Sequence, residues 1–318
     1  MSARKTIRAL LLTLTFVAGE AVHAQYFRTS EYWKTHRQEL TLGMGMTNFL
    51  GELGGRNAVG SPFVWDLELS QTKPAVSLGY RYYLLQKLSL RVNATYGVLE
   101  GNDDLTKEPF RQNRNLSFRS NLYEGQLCLE YFLRQEQPGH VYDLRGVQGR
   151  SSSRLGVYLF AGVGAFHFNP RAQFNGTWVD LRPLGTEGQG LPGGPAEYAL
   201  TGVCIPMGLG IRKALDKKIT LGLELQYTKT FTDYIDDVSG VYYDNNAIAA
   251  ARGPIAAHFA DPSLGDIAGQ TATGQQRGQP KHNDGYMFLK FELHYKLYKH
   301  QHKKHAYRNR SKRMKIVF

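Results

Sequence analysis

From Glu39 onward, apolar and polar residues alternate along the chain with a period of two, the pattern of a sheet whose two faces meet different surroundings. ELTLGMGM puts Leu40, Leu42, Met44 and Met46 on one side, with Glu39, Thr41, Gly43 and Gly45 on the other. AVSLGYRYYL sets Val76, Leu78, Tyr80 and Tyr82 against Ser77, Gly79, Arg81 and Tyr83. LSLRVNATYGV opposes Leu88, Leu90, Val92, Ala94 and Tyr96 to Ser89, Arg91, Asn93 and Thr95. In YEGQLCLEYFL, Leu127, Leu129 and Tyr131 face away from Glu124, Gln126 and Glu130. VYLFAGVGAFHF is apolar on both faces, so the orientation of Val157–Phe168 stays open. GVCIPMGLGIR and ITLGLELQYTK restore the alternation, with Cys204, Pro206 and Arg212, then Thr220, Glu224 and Gln226, on the polar or small side. The last segment opposes Met287, Leu289, Phe291, Leu293 and Tyr295 to Phe288, Lys290, Glu292 and His294.

These segments predict about eight strands, each near the ~9–11 residues that cross a bilayer in a barrel. Their connections alternate in length. Tyr83 to Leu88 and Lys213 to Ile219 are short, whereas Phe49 to Pro74, Glu100 to Ser120, Asn169 to Thr201 and Thr230 to Asp284 are long. Short turns on one side and long loops on the other describe an outer-membrane barrel with periplasmic turns and extracellular loops. The join from Gln135 to Leu155 is long yet falls on the short-turn side. An even strand number brings both termini to the periplasm.

A soluble β-sandwich also alternates, but it would turn its charged face to water. Here the charged face carries Glu39, Glu124, Glu130, Glu224 and Glu292 with Arg81, Arg91, Arg212 and Lys290, interleaved with glycines. Both signs on nearly every strand fit a narrow lumen of paired charges better than a solvated surface. Tyr82, Tyr96, Tyr131, Tyr227 and Tyr295 lie near strand ends, where aromatic girdles form. The fold class expected is all-β, an eight-stranded antiparallel transmembrane barrel over residues 37–298. Its interior would be only wide enough for side chains, so no channel is expected.

Composition changes this picture in two places. The N-terminus MSARKTIRALLLTLTFVAGEAVHAQ has Arg4, Lys5 and Arg8, a short apolar core from Ala9 to Gly19, and small residues before Gln25. That is a signal-peptide pattern over residues 1–24, followed by a periplasmic segment over 25–36. Cleavage would remove two net positive charges from the formal +12, leaving +10. Eight of those lie in residues 299–318, at Lys299, Lys303, Lys304, Arg308, Arg310, Lys312, Arg313 and Lys315. A cytosolic chain with this tail would suggest nucleic acid. Export points instead to an acidic protein face, anionic headgroups or a purely solubilising role. Glycine, at 34 residues, suits strands and tight turns. Cys128 and Cys204 have no metal-like spacing and are expected as buried, unpaired thiols, with a disulfide as the alternative.

Four stretches resemble one family. LTLGMGMTNFLGELGG is similar to the G-x-x-N-[YF]-x-G-[DE]-[LI]-G-G start of PorG-type proteins of Bacteroidota, and FRQNRNLSFRSNLYEGQLCLEYFL to their N-R-x-L-S-F-R-[ST] run. YLFAGVGAFHFNPRA resembles the fifth-strand signature, ending in Phe168, Asn169 and Pro170, and the Tyr242-Tyr243-Asp244 loop extends the match. The resemblance implies an outer-membrane component of the type IX protein secretion and gliding machinery. It further implies association with a periplasmic ring lipoprotein and its partner subunit, of the PorK and PorN type. The basic tail matches no family motif; Lys303, Lys304, Arg308, Arg310, Lys312 and Arg313 are candidate partner contacts by their charge and position alone.

No residue set suggests chemistry. Barrel enzymes that act on lipid need a nucleophile–base pair at the outer rim, and neither His167 nor His258 has a serine beside it. LGELGG and GTEGQGLPGGP do not open helices after parallel strands, so they read as turns, not phosphate loops. Asp233, Asp236, Asp237 and Asp244 read as a solvated acidic rim, with calcium as the alternative. Ala247 to Ala260, broken by Gly253 and Pro254, is expected to form short helical turns over the mouth. No cofactor, metal or catalytic residue is expected. The leading expectation is a non-enzymatic barrel anchoring a secretion assembly; the alternative is another barrel class, a lipid-modifying enzyme or a surface adhesion module.

Overall fold

The computed structural model describes residues 32–53, 71–105, 108–136, 143–144, 147–148, 154–216 and 218–297. The signal peptide expected over 1–24 and the basic tail over 299–318 lie outside the described residues, as does most of the 25–36 segment. Eight long strands follow one another: β1 Gln38–Leu50, β2 Lys73–Leu85, β3 Leu88–Asn102, β4 Ser117–Arg134, β5 Gly156–Phe174, β6 Thr201–Ala214, β7 Ile219–Thr230 and β8 Gly285–Leu297. Each pairs antiparallel with its neighbours in sequence. β1 also pairs with β8 from Gln38↔Leu297 to Leu50↔Gly285, so the sheet closes on itself and has no edge. A sandwich has no such pairing of first and last strands.

The strands exceed what a crossing needs, from 12 residues in β7 to 19 in β5. The extra length lies at the loop end. β4 begins at Ser117, inside the stretch expected as loop up to Ser120. β5 runs past Asn169 to Phe174, turns at Asn175 and Gly176, and pairs with a short strand, Thr177–Asp180. Asn175 at φ 48° and Gly176 at φ 81° have the left-handed geometry that a two-residue hairpin turn demands.

The burial pattern settles which face is which. Outward side chains are apolar and open: Met44 is 63% exposed, Leu78 63%, Val163 65% and Phe291 63%. The inward set is charged, polar or aromatic and buried. An apolar exterior around a charged interior is the reverse of a water-soluble barrel, and it suits lipid as the surrounding solvent. No helix among the described residues is long and apolar enough to cross a membrane. On β5, Tyr158, Phe160, Phe166 and Phe168 point inward, while Leu159, Val163 and His167 point outward.

One end of the barrel carries the connections at Gln86–Lys87 and Leu215–Lys218, the start of β1, the end of β8, and a small hairpin of Asp143–Leu144 with Val147–Gln148. The other end is capped by the long loops, including helices α1 Asn245–Arg252 and α2 Pro254–Ala260, which Gly253 separates. Asp244 caps α1 by accepting from the Asn246 amide at 3.0 Å. Beneath the cap, Phe49, Leu53, Phe118, Leu122, Phe166, Phe168, Ile235, Tyr286 and Phe288 form one apolar cluster that fills the loop end of the lumen.

Candidate functional site

The lumen is built by the inward positions of all eight strands. At its short-turn end, Glu39 of β1 accepts from Arg81 of β2 and, at 2.8 Å, from Arg212 of β6. Arg81 also reaches Glu130 of β4, which accepts from Ser89 of β3 at 2.5 Å. Arg91 of β3 touches three carboxylates: Glu130 at 2.8 Å, Glu224 at 2.7 Å and Glu292 at 3.3 Å. Lys290 of β8 sits 2.9 Å from Glu224 and donates to Gln226 at 3.0 Å. All of these ionised side chains are fully or almost fully buried. A buried ion left unpaired costs several kcal/mol, so multiple partners per charge are what the interior requires.

Aromatic rings fill the space between the charges. Arg81 lies over the rings of Tyr158 and Phe132, at 5.3 and 5.8 Å, and Arg91 lies 4.9 Å from Phe160. Tyr158 donates to Glu224 at 2.5 Å, and Tyr83 accepts from Arg212 at 3.0 Å. His294 bridges Glu39 and Glu292, at 3.2 and 3.4 Å, with Thr41 at 2.9 Å from the same ring. The network continues outward to Glu136, just beyond β4, which pairs with Lys296 at 2.9 Å and Arg212 at 3.4 Å. Burial alone would raise the Glu136 carboxyl, but Arg212 and Lys296 outweigh it and hold it down at about 2.

Eight of the nine charges expected in the lumen therefore touch one another through ion pairs: Glu39, Arg81, Arg91, Glu130, Arg212, Glu224, Lys290 and Glu292. Glu124 differs. It is buried in the same lumen but is held by neutral donors: Tyr286 at 2.6 Å, Gln226 at 2.9 Å and Thr228 at 3.4 Å. The sequence pattern missed Tyr158, because its strand is apolar on both sides. It also missed Glu136 and Lys296, although Lys296 continues the inward period of Lys290, Glu292 and His294. Lys303, Lys304, Arg308, Arg310, Lys312 and Arg313 lie outside the described residues. Cys128 and Cys204 are buried free thiols.

The cap forms a second polar cluster, and here the expectation of a solvated acidic rim is overturned for Asp233, Asp236 and Asp237, while Asp244 is exposed as expected. Asp236 and Asp237 are each only 1% exposed and Asp233 is 7% exposed. Asp237 accepts from Thr186 and Tyr198, both at 2.6 Å. Arg277 pairs with Glu187 at 3.0 Å and donates to the Asp237 carbonyl at 2.7 Å. Asp236 accepts from the Leu53 and Val238 amides, and Asp284 from the Ile235 amide. Asp103 pairs with Arg114 at 2.8 Å, and Arg114 donates onward to the Arg277 carbonyl at 2.7 Å. Burial is the main cause that raises these acids: Glu52 to about 7, Asp233 to about 6, and Asp237 to about 6 despite Arg277. No group of acids, histidines and cysteines among the described residues is arranged to hold a metal ion. Asp236, Asp244 and Asp284 order loop backbone.

The two histidines weighed for chemistry have other partners. His167 points outward and contacts the Thr201 hydroxyl at 3.1 Å, and His258 packs edge-on against Phe174 at 5.0 Å. The glycines of GTEGQGLPGGP at 185, 188, 190 and 193 have positive φ, so they are loop turns.

This geometry defines a transmembrane β-barrel with a filled lumen and a folded loop cap. No protein-family model matches the chain. No curated protein matches it either. Among solved structures, Neisserial surface protein A is similar over 82% of this chain and 97% of its own, with 9% identity and a TM-score of 0.40. Ail, the attachment invasion locus protein of Yersinia pestis, is similar over 82% and 99%, at 7% identity and a TM-score of 0.36. OprG of Pseudomonas aeruginosa is similar over 82% and 98%, at 10% identity and a TM-score of 0.34. Likeness this distant carries no function across.

Proposed function

We propose that the chain is a non-enzymatic outer-membrane barrel, with both termini in the periplasm, that anchors or stabilises the periplasmic ring of a type IX secretion and gliding machine. The observation that carries this reading is the filled lumen. Interlocked ion pairs at the short-turn end and a plug of phenylalanines under the cap leave no room for a conducting path, so the barrel is suited to holding and not to transporting. A ring on the periplasmic side would meet the two short turns, the 135–155 connection and the basic tail, all of which leave the barrel at one end.

The resemblance to PorG-type proteins supports the secretion assignment, and its motif residues share a physical role. Glu52 and Leu53 from the first motif and Arg114 from the second meet Asp236 and Arg277 in the cap. They close the outer end of the barrel. The same folded cap favours one second reading, a surface adhesion module, which would act through the loops and not through the periplasmic end.

A mild-detergent pull-down of the full chain, with proteins identified by mass spectrometry, separates the two. Recovery of a ring lipoprotein and its partner subunit is expected, and truncation after Tyr298 should lower that recovery at low salt, because exposed charges are screened beyond about 8 Å at physiological salt. Recovery of neither ring subunit by the full chain would refute the secretion reading.

A further inference from the structure

The outer face of β3, β4 and β5 is graded from charged to aromatic to hollow in register. Nearest the loops, Glu100, Arg119, Arg171 and Asp180 stand side by side across the strands and the added hairpin. Four residues lower, Tyr96, Tyr123 and His167 form a second row, with ring centroids 5.1 and 6.5 Å apart. Two residues lower again the row is Ala94, Gly125 and Ala165. The small Ala94 and Gly125 leave an open apolar hollow of about 560 Å³, walled by Leu78, Val92, Leu127 and Val163 among others.

Spacing along the strands fits this gradient to one leaflet. Four residues cover about 13 Å of strand at ~3.4 Å per residue, or about 10 Å of height at a barrel tilt near 40°. Aromatic rows mark the edge of the hydrocarbon, and the headgroup layer extends several ångströms beyond it. The arginine row therefore lies at or just beyond headgroup depth, and the hollow lies just inside the hydrocarbon.

The arginines are not equivalent. Arg171 pairs with Asp180 at 2.5 Å, and the nearby Lys73 pairs with Glu100 at 2.8 Å. Arg119 has no carboxylate at salt-bridge distance among the described residues; its guanidinium lies 5.5 Å from the ring of Trp178, which is itself 45% exposed. Two like charges face each other across β4 and β5 at Arg119↔Arg171; Asp180 answers Arg171, whereas Arg119 stands opposite a Glu100 that is held by Lys73. Stacking on an indole leaves the hydrogen-bonding edge of a guanidinium free, and its planar fork suits two phosphate oxygens.

We propose that this face binds one outer-leaflet lipid with a phosphorylated headgroup: phosphate on Arg119, assisted by Arg171, glycerol or sugar against the Tyr96–Tyr123 shelf, and an acyl chain in the hollow at Gly125. The inference rests on the membrane-barrel reading and is independent of the secretion role. It joins two features that alone would mean little, an exposed guanidinium outside any salt bridge among the described residues and a gap between side chains, at the separation one amphiphile spans.

The test uses the detergent-solubilised full chain, titrated with bis-phosphorylated lipid A and, in parallel, with phosphatidylcholine, and read by native mass spectrometry. Arg119→Gln should weaken lipid A retention at least tenfold, and Arg119→Lys should lose less. Gly125→Leu should weaken it as well by filling the hollow. A Cβ at Gly125 meets no atom within 4 Å, so this variant has space to fold. Heat-modifiable migration on gels reports folding of each variant, so a failed barrel is told apart from a lost lipid. Unchanged lipid A retention in folded Arg119→Gln or in folded Gly125→Leu would overturn the proposal. So would equal retention of phosphatidylcholine, or displacement of lipid A by millimolar inorganic phosphate, which would make Arg119 a site for a free anion.

Discussion

Arg91 is the charge on which the lumen most depends, and Arg91→Met is the sharpest test of the packed interior. Its guanidinium serves three carboxylates. Two of them keep a cation when it is gone: Glu130 retains Arg81, and Glu224 retains Lys290. Glu292 keeps only the His294 ring at 3.4 Å and the Tyr158 hydroxyl at 3.3 Å. At an effective dielectric of ~20, one close pair is worth on the order of 4–5 kcal/mol of Coulomb attraction, and removing one partner of a buried pair costs about 3–5 kcal/mol. Arg91→Met is therefore expected to destabilise the barrel by about 3–5 kcal/mol. Adding Glu292→Gln removes the stranded charge, so the double variant should regain about half of that loss, a coupling of roughly 2 kcal/mol. Urea unfolding in lipid vesicles, followed by tryptophan fluorescence and gel mobility, measures all three variants. A cost below about 1 kcal/mol for Arg91→Met, the figure for exposed pairs, would mean that water reaches the lumen and screens it.

Two further outcomes follow from the same packing. Planar bilayers containing the purified chain should show no stable conductance, since the lumen holds ion pairs at one end and the Phe49, Phe118, Phe166 and Phe288 cluster at the other; large, stable steps would refute the filled interior. The cap should hold more tightly at pH 5 than at pH 8. Glu52, Asp233 and Asp237 bind protons more tightly folded than unfolded, with folded values of about 7, 6 and 6, so the stability they give is complete below the ordinary carboxylate range and is lost as pH rises through 6 to 7. Hydrogen exchange at the Leu53, Ile235 and Val238 amides, corrected for intrinsic rate, should be slower at pH 5; faster corrected exchange there would contradict the sign.

The sequence exposed those strands on which physics separates the two faces. Over Ser77–Arg81 of β2, Ser89–Thr95 of β3, Thr220–Thr230 of β7 and Lys290–Lys296 of β8 the inward residues are charged, polar or glycine and the outward ones largely apolar, so the period of two is plain. β5 obscured its orientation because its lumen side carries Tyr158, Phe160, Phe166 and Phe168, which are rings serving as packing between guanidinium groups and beneath the cap. The extension of β5 has a local signal in the Asn175-Gly176 pair, which favours a two-residue hairpin turn. The aspartates could not be placed from sequence. Asp237 is buried because Thr186 and Tyr198, 51 and 39 residues away, donate to it, and partners that distant leave no periodicity to read. Charge composition suggested a wet rim, whereas tertiary hydrogen bonds made a dry one.

The way the ion pairs cross the barrel constrains how it can be assembled. Glu39 on the first long strand needs Arg212 on the sixth, and Arg91 on the third needs Glu292 on the last. A partly formed sheet lying open in lipid would hold these charges without their partners, against hydrocarbon. The inward face must therefore stay wet until β1 meets β8, and the water must leave as the ring closes. Seam formation and drying become a single event, so insertion of this chain is expected to proceed without a long-lived, half-built sheet and to need a site where the membrane admits water beside the growing strands.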